Sequence, residues 1–200
     1  MIVASCSSGH TSPTANQSQS RNSAPGVSTT VGVFNDISCT ANGYCMAIGA
    51  QRTASGGTSP LVLSGSGRQW QVDKIPSSSP LSPALLAQVA CVSTDDCMIV
   101  GRPQTAGGSY LSARWDGRTW QVIPMPIPGT LLLGKDGLSC SQLHCLEVGE
   151  SPGTGFFALS WRTAGWDTLP PQPMGNSYGI NMTRCVDGDS CMVVASPTRS

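Results

Sequence analysis

Eight of the nine cysteines fall into four short-range pairs that recur along the chain: Cys39 with Cys45, Cys91 with Cys97, Cys140 with Cys145 and Cys185 with Cys191. The first members stand 52, 49 and 45 residues apart. Paired cysteines serve either disulfides or zinc. Zinc knuckles favour a shorter spacing within each pair, and two pairs must converge on one ion. Here four or five residues separate the partners and each pair belongs to its own repeat, so the spacing predicts four local disulfides and no metal site. A loop this short gains only about 2 kcal/mol from the lost freedom of the unfolded chain. Disulfides persist in oxidising compartments, which predicts an extracytoplasmic protein.

The cysteines mark a larger repeat. Each second cysteine opens one short strand: CMAIG at 45–49, CMIVG at 97–101, CLEVG at 145–149 and CMVVA at 191–195. Each first cysteine closes another: NDISC, AQVAC, DGLSC and NMTRC. A third run follows a Gly-rich loop (PLVLS, SYLSARW, GFFALSW), and a fourth begins with Trp70, Trp120 or Trp166. Prolines fall at strand ends, where no ladder donor is lost, and Asp116-Gly117 supplies a hairpin turn. Four short strands, a to d, repeated at this period define an all-β chain of β-propeller blades. The boundaries are 31–80, 81–130, 131–177 and a partial 178–200, about three and a half blades of an incomplete ring, since a closed ring needs about four or more.

The hairpin C-x5-C, the strand C-M-x-[IV]-G and the turn WDGRTW at Trp115–Trp120 resemble the Cys-paired, Trp-marked propeller repeats of secreted actinobacterial proteins. The resemblance covers about residues 30–200. The turn is also similar to the Asp-box of sialidase-type propellers, although Asp116 and Gly117 are adjacent where that motif separates them, and GSGRQW and WRTAGW lack the aspartate. The motif marks architecture and implies no sialidase activity.

Residues 7–30 read as a flexible Ser-rich tether, because a segment so poor in apolar residues has nothing to bury. Before it, Val3-Ala4-Ser5-Cys6 fits a bacterial lipobox, which makes Cys6 the expected lipidation site and 1–6 the remnant of a signal. Only Met1 and Ile2 precede the box, so the charged and apolar regions of a complete signal are missing. No apolar run reaches bilayer-spanning length.

Eleven basic residues balance eleven acidic ones, and charge is sparse. This gives no basic cluster for nucleic acid and none for a membrane surface, leaving a lipid on Cys6 as the one expected membrane link. No serine sits in a nucleophile elbow, His144 lies inside a disulfide turn, and Asp187 with Asp189 reads as a turn signal. No catalytic residues and no cofactor are expected.

The a–b and c–d turns share one rim and are tight or stapled. The b–c and d–a connections share the other rim and are longer, which places a ligand near Arg52, Arg102, Tyr110 and Glu150. Glu147 stands where other repeats carry Ala47, Ile99 and Val193; Arg184 stands where they carry Ser38, Ala90 and Ser139. If unlike faces of neighbouring blades meet, these two are expected to form a structural ion pair between blades three and four. The tryptophans are expected to pack blade on blade. The leading functional reading is a non-enzymatic extracytoplasmic binding module for a protein or glycan. The alternatives are part of a sialidase-like glycan-processing enzyme, and a half-propeller that forms a homodimer through open blade edges.

Overall fold

The computed structural model describes residues 32–75, 79, 81–82, 84–104, 109–127, 132–142, 144–151, 155–162, 165–170, 178–187 and 190–197. The lipobox with Cys6, and the tether, lie outside them. Blade 1 is the antiparallel sheet of β1 (Gly32–Cys39), β2 (Tyr44–Arg52), β3 (Thr58–Ser66) and β4 (Gln69–Asp73), in that order. Blade 2 repeats it with β5 (Ala84–Ser93), β6 (Asp96–Pro103), β7 (Leu111–Trp115) and β8 (Trp120–Pro124). Blade 3 does so with β9 (Leu132–Ser141), β10 (His144–Ser151), β11 (Gly155–Arg162) and β12 (Gly165–Thr168). A fourth sheet pairs β13 (Tyr178–Asp187) with β14 (Ser190–Pro197). The fold is a partial β-propeller with no closed ring.

Each disulfide joins directly opposed residues of a first hairpin, Cys39–Cys45, Cys91–Cys97, Cys140–Cys145 and Cys185–Cys191, with Cα atoms 4.0 to 4.1 Å apart. That is the close, non-hydrogen-bonded kind of antiparallel pair, where side chains already meet. Local chemistry also sets the other turns. Gly117 takes a φ of 88°, a region that favours glycine, while Asp116 Oδ1 accepts from the Arg118 and Thr119 amides at 2.9 and 2.7 Å. These amide donors, Thr119 first, hold the Asp116 carboxyl below its ordinary pKa. Gly49, in the repeated C-M-x-[IV]-G strand, lies opposite a bulge between Phe34 and Asp36, where a Cβ would stand 2.0 Å from the Val33 carbonyl oxygen.

Period-two alternation gives every sheet two apolar faces, and the blades stack unlike faces. Met46, Ile48 and Val62 of blade 1 pack on Val89, Cys97, Ile99 and Ala113 of blade 2. The opposite face of blade 2, with Met98, Val100 and Tyr110, packs on Cys145, Leu159, Trp161 and Trp166 of blade 3. Leu146, Val148 and Phe156 then meet Ile180 and Cys185. The disulfide-bearing face of each sheet thus turns toward the preceding blade. At the outer strands, Trp166 Nε1 donates to Ser112 Oγ at 2.7 Å. Arg114 lies 5.1 Å over the Trp161 ring while its Nε holds Asp96 at 2.8 Å.

The first strands sit innermost, and each inner edge is joined to the next by side chains of the preceding blade. Asp36 Oδ2 accepts from the Val89 amide at 2.8 Å and Ser38 Oγ from the Cys91 amide at 2.9 Å. Gln88 Oε1 accepts from the Leu138 amide at 2.5 Å and Ser139 Oγ from the Cys185 amide at 2.9 Å. Backbone donors that have no ladder neighbour are satisfied this way.

This orientation corrects the expected pairing of Glu147 with Arg184. Glu147 shares the disulfide face and turns toward blade 2, where it is fully buried and Oε1 accepts from Gln88 Nε2 at 3.3 Å. Arg184 lies opposite Met192, off the disulfide face of the fourth sheet, and is exposed. The two stand on opposite sides of the interface between blade 3 and the fourth sheet. Which neighbour a face meets follows from the order of blades around the axis, and alternation within one strand does not encode it.

Candidate functional site

At the end of the blades where second strands lead to third ones, a cleft of about 430 Å³ opens between blades 1 and 2 and reaches blade 3. Its wall is made by Asn35, Ala50, Leu86, Arg102, Tyr110 and Leu133, with Leu85 and Ala87 beside them. Two of these residues are bulge positions. The register of β1 slips between Phe34 and Asp36, and that of β5 between Leu86 and Gln88, which leaves Asn35 and Ala87 unpaired in their ladders. A bulge re-aims its extra residue. Asn35 uses this freedom to donate from Nδ2 to the Leu86 carbonyl at 2.6 Å, bridging the two blades at the cleft.

Arg102 stands near the end of β6, opposite Leu85, and its side chain is exposed. Tyr110, just before β7, is buried in the core between blades 2 and 3 and still lines the cleft. Burial pushes the Tyr110 hydroxyl above its ordinary pKa. Arg102 pulls it down and Glu147 pushes it up, so the phenol lies within the field of both charges. Behind it, Glu147 Oε2 has no hydrogen-bond partner, and desolvation raises the Glu147 carboxyl well above its ordinary pKa. The cleft therefore offers one guanidinium, one amide and one phenol above an aliphatic wall.

Of the four residues expected on this rim, Arg102 and Tyr110 share the cleft. Arg52 ends β2 as an exposed residue opposite Thr58, and half-buried Glu150 sits opposite Leu132 and Phe156; neither lines it. Leu86 and Leu133 fall within the longer connections expected on this rim but were not singled out there, and Asn35, in a first strand, was not expected. The one available signal was a lone asparagine in an otherwise apolar run, VGVFN.

A second cavity of about 300 Å³ lies among the innermost strands, lined by Asp36, Ser38, Asp136, Ser139, Thr183 and Arg184, among others. Burial raises the Asp36 carboxyl, two amide donors lower it, and Asp136 raises it slightly. His144 Nδ1 lies 3.8 Å from Cys191 Sγ, close to Cys185, but both sulfurs are spent in their disulfide and offer no thiolate to an ion.

The fold is that of a partial β-propeller, with the cleft on one rim. Among solved structures the chain is similar to the six-bladed β-propeller lectin of the fungus Aleuria aurantia, whose crystal structure reports fucose recognition. The match has a TM-score of 0.53 at 10% identity, over 84% of this chain and 62% of the lectin. A variant of that lectin in complex with α-methyl-L-fucoside matches at a TM-score of 0.46 and 13% identity, over 76% of this chain and 48% of the other. The chain thus spans about 62% of the lectin's length, and at such identity the likeness carries the fold. No protein-family model and no curated protein sequence matches the chain.

Proposed function

We propose that this chain is an extracytoplasmic, non-enzymatic propeller module that binds a glycan in the cleft of Arg102, Tyr110 and Asn35. The observation that carries the reading is the convergence of Arg102 and Tyr110 in one cleft. Sugars offer hydroxyls to planar donors and C–H faces to rings and aliphatic wall residues, and this lining supplies both. Arg102 is the single charged residue among the described lining residues, which favours binding over a carboxylate-driven hydrolysis. The fucose-recognising lectin of similar fold supports the same ligand class. Four disulfides support an oxidising compartment. A lipid on Cys6, with 7–30 as a tether, would hold the module at a membrane.

The test is a glycan array followed by calorimetry on the best ligand. Arg102→Ala is expected to weaken binding about tenfold or more, the range for a lost hydrogen bond from a charged donor. Arg52→Ala, outside the cleft, is expected to leave affinity unchanged. Equal affinity of the Arg102→Ala and unmodified chains would show that the ligand sits elsewhere.

A further inference from the structure

At the rim that holds the cleft, each complete blade carries an equivalent pair of residues. One follows the glycine of the second strand, and the other precedes the start of the packed run in the third. The pair is Ala50 opposite Pro60 in blade 1 and Glu150 opposite Phe156 in blade 3. In blade 2, Gly101 lies opposite Leu111, and the same step along both strands leads to Arg102 and Tyr110. Blades 1 and 3 form this hairpin with a methyl group or an acid in place of the guanidinium, so the fold does not require a cation there. Nor does Arg102 serve a neighbour. Among the described residues the one ion pair joins Arg114 to Asp96, and Arg102 makes no hydrogen bond. Its side chain is exposed and permanently charged.

The rest of the cleft leaves that charge unopposed. No carboxylate stands among the described lining residues. Glu147 adds no opposing charge from the core, since it is fully buried and desolvation favours its neutral form. A sugar hydroxyl both donates and accepts, and is uncharged. A carboxylate or sulfate only accepts, carries a charge, and meets the planar fork of an arginine through two parallel bonds. We propose that the glycan taken by this cleft is acidic: a sugar bearing a carboxylate or a sulfate, with the anion on Arg102 and the apolar ring face on Leu86 and Leu133. Asn35 donates from Nδ2 to the Leu86 carbonyl, which leaves Oδ1 to accept from a ring hydroxyl. The inference rests on the reading of the cleft as a glycan site and adds the charge of the ligand.

The test uses glycan pairs that differ only in the acid, presented on an array and then titrated with the full chain by NMR. One arm compares methyl glucuronide with methyl glucoside; the other compares 6-sulfated N-acetylglucosamine with its unsulfated parent. The acidic member of at least one pair is expected to bind about tenfold or more tightly, and the stronger arm identifies the anion. The preference should shrink as sodium chloride is raised from about 0.01 M to about 1 M, because exposed charges are screened. Arg102→Gln keeps an amide donor and removes the charge, so it is expected to abolish the difference between the members of each pair. Its melting temperature should match that of the unmodified chain, since the side chain is exposed and unpartnered. Equal affinity within both pairs, with Arg102→Ala weakening all four sugars, would overturn the acidic ligand and leave the glycan reading standing. A preference that persists in Arg102→Gln would overturn it too, by putting the anion elsewhere. No glycan binding on the array, or binding indifferent to Arg102→Ala, would overturn the glycan reading and this inference together.

Discussion

Glu147 is fully buried, and its one hydrogen bond is the donation from Gln88. A carboxylate in that place loses its hydration with little return, so the neutral acid is preferred and the pKa rises well above 4.5. For an acid whose folded pKa is raised, the folded state holds a proton that the unfolded state has released. The stability involved is complete below about pH 4.5, falls as pH rises from there, and levels off above the folded pKa. The slope in that window is at most about 1.4 kcal/mol per pH unit. Glu147→Gln keeps the shape and removes the titration. Its stability by urea denaturation is expected to match the unmodified chain near pH 4 and to exceed it at pH 8. A difference that does not vary with pH would mean that Glu147 stays charged when folded.

At the level of strands, the inner edges are held by single side chains reaching one blade forward. Ser139 Oγ accepts the Cys185 amide, and both partners are buried. Ser139→Ala leaves that donor unsatisfied and is expected to cost about 1–3 kcal/mol, read as a lower urea midpoint. Ser38→Ala, beside the Cys91 amide, should cost less because its surroundings are more open. Hairpins of this kind were legible from sequence because they are local: Cys39 to Cys45 spans six positions, and the bond dictates the pairing. The bulges were not legible. A one-residue slip at Asn35 or Ala87 exchanges inward and outward positions, and no composition signal distinguishes these sites from ordinary alternation. Arg102 and Tyr110 were found from their place at a strand end and a loop exit, whereas the approach of Leu86 and Leu133 to one cleft arises only when three blades are assembled. The Glu147–Arg184 pairing failed for the same reason.

Among the described residues of the β unit, each sheet packs on its sequence neighbours and the four sheets form no closed ring. Stability in such an array is close to a sum of sheet terms and nearest-neighbour terms, so loss of order starts at the ends. The end faces bear this out in exposure: Phe34, Ile37 and Val72 on blade 1, and Met182, Met192 and Val194 on the fourth sheet, are apolar and open to solvent. Blades 2 and 3 are covered on both faces. The four disulfides staple hairpins within sheets and none joins one sheet to the next, so no covalent link prevents stepwise opening. Native-state hydrogen exchange is therefore expected to grade along the chain. Amides of β6 and β10 should exchange slowest, with opening free energies near the global value, and those of β13 and β14 fastest. Uniform protection from β1 to β14 would mean that the sheets open as one cooperative body. The Arg102 cleft draws on the rigid middle of this gradient, where preorganisation favours a small ligand.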